Sequence, residues 1–114
     1  MDADLYTKLF VNMNTTHDVL LQRVATILNG RIDLWTVEAD SLAADVRPNE
    51  EAECNATDFI HYPYTVEVIS QGLELEEYLG RVGAVMNALH TEGAAVVAAC
   101  DWEDLLPGRG SLVS

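Results

Sequence analysis

Two stretches of the chain gather side chains suited to acting on another molecule. Glu50, Glu51, Glu53 and Asp58 fall between Pro48 and a run that carries Tyr62 and Tyr64, and Asp101, Glu103 and Asp104 surround Trp102. Carboxylates around an aromatic are what a surface for a basic partner needs, because the ring supplies buried area while the charges steer and select. Trp35, in Asp33-Leu34-Trp35, has similar neighbours, but closing an end of the core is its preferred role. For Trp102 the two roles stand level.

Chemistry of other kinds finds less to work with. His17, His61 and His90, with Cys54 and Cys100, show none of the close pairings that zinc sites use, so no metal ligand is assigned. His90 fits a cation near a helix C-terminus. Asp101, Glu103 and Asp104 lack the glycine and alternating ligands of a calcium loop. Nucleophilic catalysis would require Cys100 with His61 or His90, or a serine with a base, in hydrogen-bond reach. Cys100 follows a run of alanine and valine, where a thiol belongs to a core. No catalytic residue and no cofactor is expected.

Charge narrows the partners. The 114 residues hold 19 Asp and Glu against 6 Lys and Arg, a net charge of -13, with 49% hydrophobic residues. That hydrophobic share is globular composition in one domain, with a core over about residues 4–101 and an acidic C-terminal segment, 101–114. The sign of the charge argues against nucleic acid and against an anionic membrane surface, both of which require a positive footprint. It is also compatible with an ordinary acidic protein, since net charge reports on solubility and association. Met1-Asp2-Ala3-Asp4 lacks the basic-then-apolar layout of a signal peptide, and no apolar run approaches the ~20 residues that span a bilayer. A cytoplasmic protein is expected, and Asn55-Ala56-Thr57 is read as a chance match to a glycosylation acceptor.

The elements that must position these residues follow from periodicity. Phe59 to Ile69 is the longest strand signal, with Ile60, Tyr62, Tyr64, Val66 and Val68 on one face; Pro63 places that point at a sheet edge or a bulge. Leu5 to Met13 reads as a first strand. Thr15 and Asp18 then resemble a capping box before a helix marked by Leu20, Val24, Ile27 and Leu28. Arg31 to Arg47 is extended, and Asp40-Ser41 within it is either a hairpin turn or a bulge; without a glycine, a bent strand is preferred. Pro48 to Asp58 is a loop. Leu75, Tyr78, Leu79, Val82, Val85, Met86 and Leu89 give a second helix, and Ala94 to Cys100 a last strand, after which the chain leaves the sheet. Gly80 and Gly83 either allow close packing or are tolerated surface glycines. This order predicts an α+β domain of the ferredoxin-like kind, βαββαβ, an antiparallel sheet with two helices on one face.

His61-Tyr62-Pro63-Tyr64 and the stretch Ala99 to Pro107 resemble small, acidic bacterial proteins, some of which are immunity partners of polymorphic toxins. The resemblance implies a protein that binds and neutralises a basic toxin domain such as a nuclease, and it carries over no functional residue. The residues expected to bind such a partner are Glu50, Glu51, Glu53, Asp58, Tyr62, Asp101, Trp102, Glu103 and Asp104. The alternative is a small enzyme or ligand-binding domain with a pocket between sheet and helices, flanked by His61, Tyr62 and Tyr64. Homodimerisation through a sheet edge is the first sign to seek of a third, structural role.

Overall fold

A computed structural model describes residues 5–53 and 58–113. The N-terminal acidic tetrapeptide, Cys54 and the Asn55-Ala56-Thr57 triplet lie outside the described residues. The chain runs β1 (Tyr6–Asn12), α1 (His17–Leu28), β2 (Arg31–Asp33), β3 (Thr36–Ala39), β4 (Leu42–Pro48), β5 (Tyr64–Ser70), α2 (Leu75–Thr91), β6 (Ala95–Ala99) and β7 (Ser111–Leu112). All seven strands join one antiparallel sheet in the order β2-β3-β4-β5-β1-β6-β7. The protein is thus α+β with two helices, as its periodicities predict, but the sheet is wider than four strands.

The core lies between the helices and one face of the sheet. Leu9 and Val11 of β1, Val46 of β4, Val66 and Val68 of β5 and Val96 of β6 are fully buried against Leu20 and Val24 of α1 and Val82, Val85 and Met86 of α2. Each fully buried side chain of this size contributes roughly 1.5–3 kcal/mol relative to exposure. Polar groups buried beside this apolar layer include the Tyr78 hydroxyl and Thr7. The Tyr78 hydroxyl donates to the Val68 carbonyl at 2.7 Å and lies 2.8 Å from Thr7 Oγ1, so it is satisfied. Burial pushes its pKa up to about 12.

Four local expectations are corrected. The cap of α1 is Thr16, whose side chain accepts from the Val19 N–H, one residue beyond the expected Thr15. Residues 31–47 form three strands: Leu34 (φ 58°) and Ser41 (φ 57°) both adopt left-handed backbone, making two reversals without glycine. The long strand expected over Phe59 to Ile69 begins only at Tyr64, because Phe59–His61 winds as a 3-10 turn. Pro63 therefore precedes a strand that is central, paired with β1 and β4, and needs neither edge nor bulge. After β6 the chain does not leave for good; it makes two 3-10 turns and returns as β7 beside β6.

Gly83 explains part of that return. A side chain there would meet Pro107 at 3.3 Å, so the glycine lets the C-terminal segment approach α2. Leu106, 4% exposed, then enters the core next to it.

Candidate binding surface at one end of the sheet

Strand register places the two acidic stretches at opposite ends. Val11 pairs with Tyr64, and Tyr64 with Pro48, so the loop from β4 to β5 lies where β1 finishes. Lys8 pairs with Ala99, so β6 finishes toward the start of β1 and delivers Asp101, Glu103 and Asp104 to the other end. At ~3.4 Å per residue the length of β1 separates the ends by roughly 20 Å. The carboxylates expected to form one binding set do not form one surface.

At the first end the described stretches 49–53 and 58–63 are held to one another by side-chain and backbone hydrogen bonds. The Asn49 side-chain amide donates to the carbonyls of Ile60 at 2.9 Å and Tyr62 at 2.7 Å, and its oxygen accepts from the Glu51 N–H at 3.1 Å. The Asn49 and Glu53 N–H groups donate to the Pro63 and His61 carbonyls at 2.8 and 3.0 Å. His61 Nδ1 lies 2.9 Å from the Glu51 carbonyl. That bond holds the His61 pKa above its ordinary value, and the carboxylates of Glu53, Asp58 and Glu51 add to the effect. Phe59 packs edge-on against Phe10, 5.2 Å between centroids, and ties the 3-10 turn to the helix-free face of the sheet. Glu50, Glu51, Glu53 and Asp58 are left exposed on this pinned loop.

Beside the loop stands the reversal between β2 and β3. Leu34 is 79% exposed and Trp35 44% exposed. The Trp35 carbonyl accepts from the Val46 N–H at 2.9 Å, which fixes the tip against β4. The Arg47 guanidinium lies 5.0 Å over the Trp35 ring. Trp35, Arg47, Pro48 and Glu50 line a hollow of about 270 Å³ with His17, whose Nε2 donates to the Val46 carbonyl at 2.6 Å. On the helix-free face a second hollow, of about 420 Å³, is lined by Lys8, Phe10, Arg47, Thr65 and Glu67 from the sheet and by Glu50, Glu51 and Ile60 from the loop. Arg47 stands between the two. Glu67 is engaged by the Tyr6 hydroxyl, and this contact together with burial raises the Tyr6 pKa.

Trp35 takes the role opposite to the one preferred for it, and Trp102, for which the two roles stood level, takes the core. Trp102 packs edge-on against Tyr78 with centroids 6.2 Å apart, and its indole N–H donates to Thr7 Oγ1 at 3.3 Å. It closes the core at the second end. Trp35 is the surface aromatic. Tyr62 is 7% exposed and offers little to a partner, while the Tyr64 hydroxyl donates to the Thr15 carbonyl at 2.6 Å. The core cluster lies between sheet and helices, where the alternative placed a pocket. Asp101, Glu103 and Asp104 are exposed, and Glu103 also accepts from the Cys100 N–H at 3.3 Å.

Among the described residues no group of three or more His, Cys, Asp or Glu is placed to hold a metal ion, and no helix is long and apolar enough to cross a membrane. Comparison with known proteins returns no match: no family model, no curated protein and no solved structure.

Proposed function

We propose that this protein is a cytoplasmic binding protein of the toxin-immunity type, which docks a basic protein domain on the first end of its sheet. One observation carries the reading. A leucine and a tryptophan are exposed at a rigid reversal, directly beside a pinned loop bearing Glu50, Glu51, Glu53 and Asp58. Leu34 is costly to the isolated fold, since left-handed backbone for a non-glycine residue costs about 1–3 kcal/mol. A partner that buries the Leu34 and Trp35 side chains offsets that cost. The carboxylates around them give the encounter its speed and its choice of basic surfaces. A nuclease domain fits this chemistry, because the carboxylates would occupy the groove it keeps for phosphates.

The scaffold under this surface is read as ferredoxin-like. The inner strands β4-β5-β1-β6, connected through α1 and α2, have the order of that fold, and the β2–β3 hairpin and β7 extend it at either edge. The hairpin extension is what carries Leu34 and Trp35. The test is affinity for the basic protein retained from native cells at low salt. Trp35→Ala and lysine at Glu50, Glu51 and Glu53 should each weaken it, and the salt dependence should flatten with the second. Unchanged affinity and salt dependence would sink the reading.

The 420 Å³ hollow favours a second reading, a small-ligand site on the helix-free face with Lys8 and Arg47 as anion partners. A small molecule released on denaturing the purified protein would support it.

A further inference from the structure

The second end carries an apolar groove that the first-end reading does not use. Leu75, Glu76, Leu79 and Gly80 of α2 line it with Leu105 from the turn after β6, around a volume of about 500 Å³. Leu105 is 65% exposed and Leu75 39% exposed. Gly80 is the informative residue. Glycine in a helix interior is less favourable than alanine, yet a side chain built at Gly80 would meet nothing within 4 Å. Three residues on, Gly83 has its reason inside the molecule, in the approach of Pro107 at 3.3 Å. Among the described residues nothing stands close enough to ask for glycine at 80, and the open space above it lies over the groove.

The rim says what approaches. Exposed Glu76 lines the groove, exposed Glu74 and Glu77 are its neighbours at the start of α2, and exposed Asp104 precedes Leu105 on the other side. A second copy would bring these carboxylates against their own kind in a chain of net charge -13. A lysine- or arginine-rich segment with one bulky apolar side chain meets both features, the side chain entering over Gly80 and the cations facing the rim. We propose that this groove is a docking site for such a basic segment of a protein partner, separate from the surface at Trp35.

Two synthetic peptides of equal charge test it, one with phenylalanine among lysines and one with serine in its place, titrated into the isotopically labelled full chain and followed by NMR. The phenylalanine peptide should bind at least tenfold more tightly and shift the amide signals of Leu79, Gly80 and Leu105. Gly80→Leu, whose Cβ meets no atom within 4 Å, should erase that tenfold difference while leaving weak charge-driven binding; Leu105→Ser should do the same and serves if Gly80→Leu does not fold. Equal binding of the two peptides, shifts confined to the Trp35 end, or a dimer that closes over Gly80 in sedimentation would each overturn the proposal. Loss of binding at Trp35 leaves these outcomes unaffected, so the two surfaces fail independently.

Discussion

The two ends of the sheet carry similar ingredients, a tryptophan beside several carboxylates, and use them differently. At one end Trp102 turns inward to Tyr78 and Thr7, its neighbouring carboxylates stay exposed, and Leu105 of the following turn helps line an apolar groove on α2. At the other, Trp35 stays at the surface on a fixed reversal, and the acidic loop is clamped beside it by Asn49. Local composition is nearly the same in Asp33-Leu34-Trp35 and Asp101-Trp102-Glu103. What differs is the register that each inherits from its strand. An aromatic among acids becomes an anchor or a core plug according to which face of the sheet its neighbours leave open.

The comparison can be broken most directly at the tryptophans. Trp102→Ala should cost about 3 kcal/mol of stability, the low end for losing a large aromatic from a core, because Trp102 is only partly buried. Trp35→Ala should cost no more than ~1 kcal/mol, since it loses chiefly an exposed stacking contact with Arg47. Urea unfolding of the two variants checks this, and equal costs would erase the distinction between the ends.

Charge comes next. Lysine at Glu50, Glu51 and Glu53 should weaken a basic partner by about 100-fold at low salt, whereas lysine at Asp101, Glu103 and Asp104 should weaken it several-fold, through net charge alone. Titration calorimetry at two salt concentrations measures both.

Smaller effects sharpen the picture at each end. Gly80→Ala should stabilise the protein by roughly 0.5–1 kcal/mol, and Gly83→Ala should gain less because Pro107 must give way. Thermal unfolding of the pair tests whether Gly80 is held for a reason outside the fold. The least effect belongs to His61. Its pKa is raised in the folded protein, so its contribution is complete below the ordinary histidine value near 6.5 and fades as pH rises through the higher folded value. His61→Gln should remove this small loss of stability on going from pH 6 to pH 8, read as the shift in urea midpoint.

How much of this was legible in the sequence depends on which force decided each element. The helices and the buried faces of β1 and β5 were readable because apolar periodicity and burial are the same fact seen twice, whereas β6, apolar on both faces, showed only that it was a strand. The reversal at Leu34-Trp35 was hidden, and the turn at Asp40-Ser41 was the less preferred of two alternatives, because neither offers the glycine that such turns favour; pairing of β3 with β2 and with β4 goes with left-handed backbone at Leu34 and Ser41 instead. Missing the first of them concealed the exposed tip and left Trp35 assigned to the core. Phe59 to Tyr62 alternated like a strand but winds as a turn, with Phe59 on Phe10 and Asn49 bonded to the carbonyls of Ile60 and Tyr62. The acidic candidates were found by type. Their division between two ends was not, since strand order is a long-range property that no local window contains.

The most direct test of the central claim is retention of a basic partner by three forms of the protein: unaltered, with the first-end lysines, and with the second-end lysines. Both variants raise the net charge equally, so charge as such is controlled. The Trp35 surface predicts loss of the partner with lysine at Glu50, Glu51 and Glu53 and its retention with lysine at Asp101, Glu103 and Asp104. Equal loss from both would mean that only the overall charge is felt, and would contradict a specific surface at the first end.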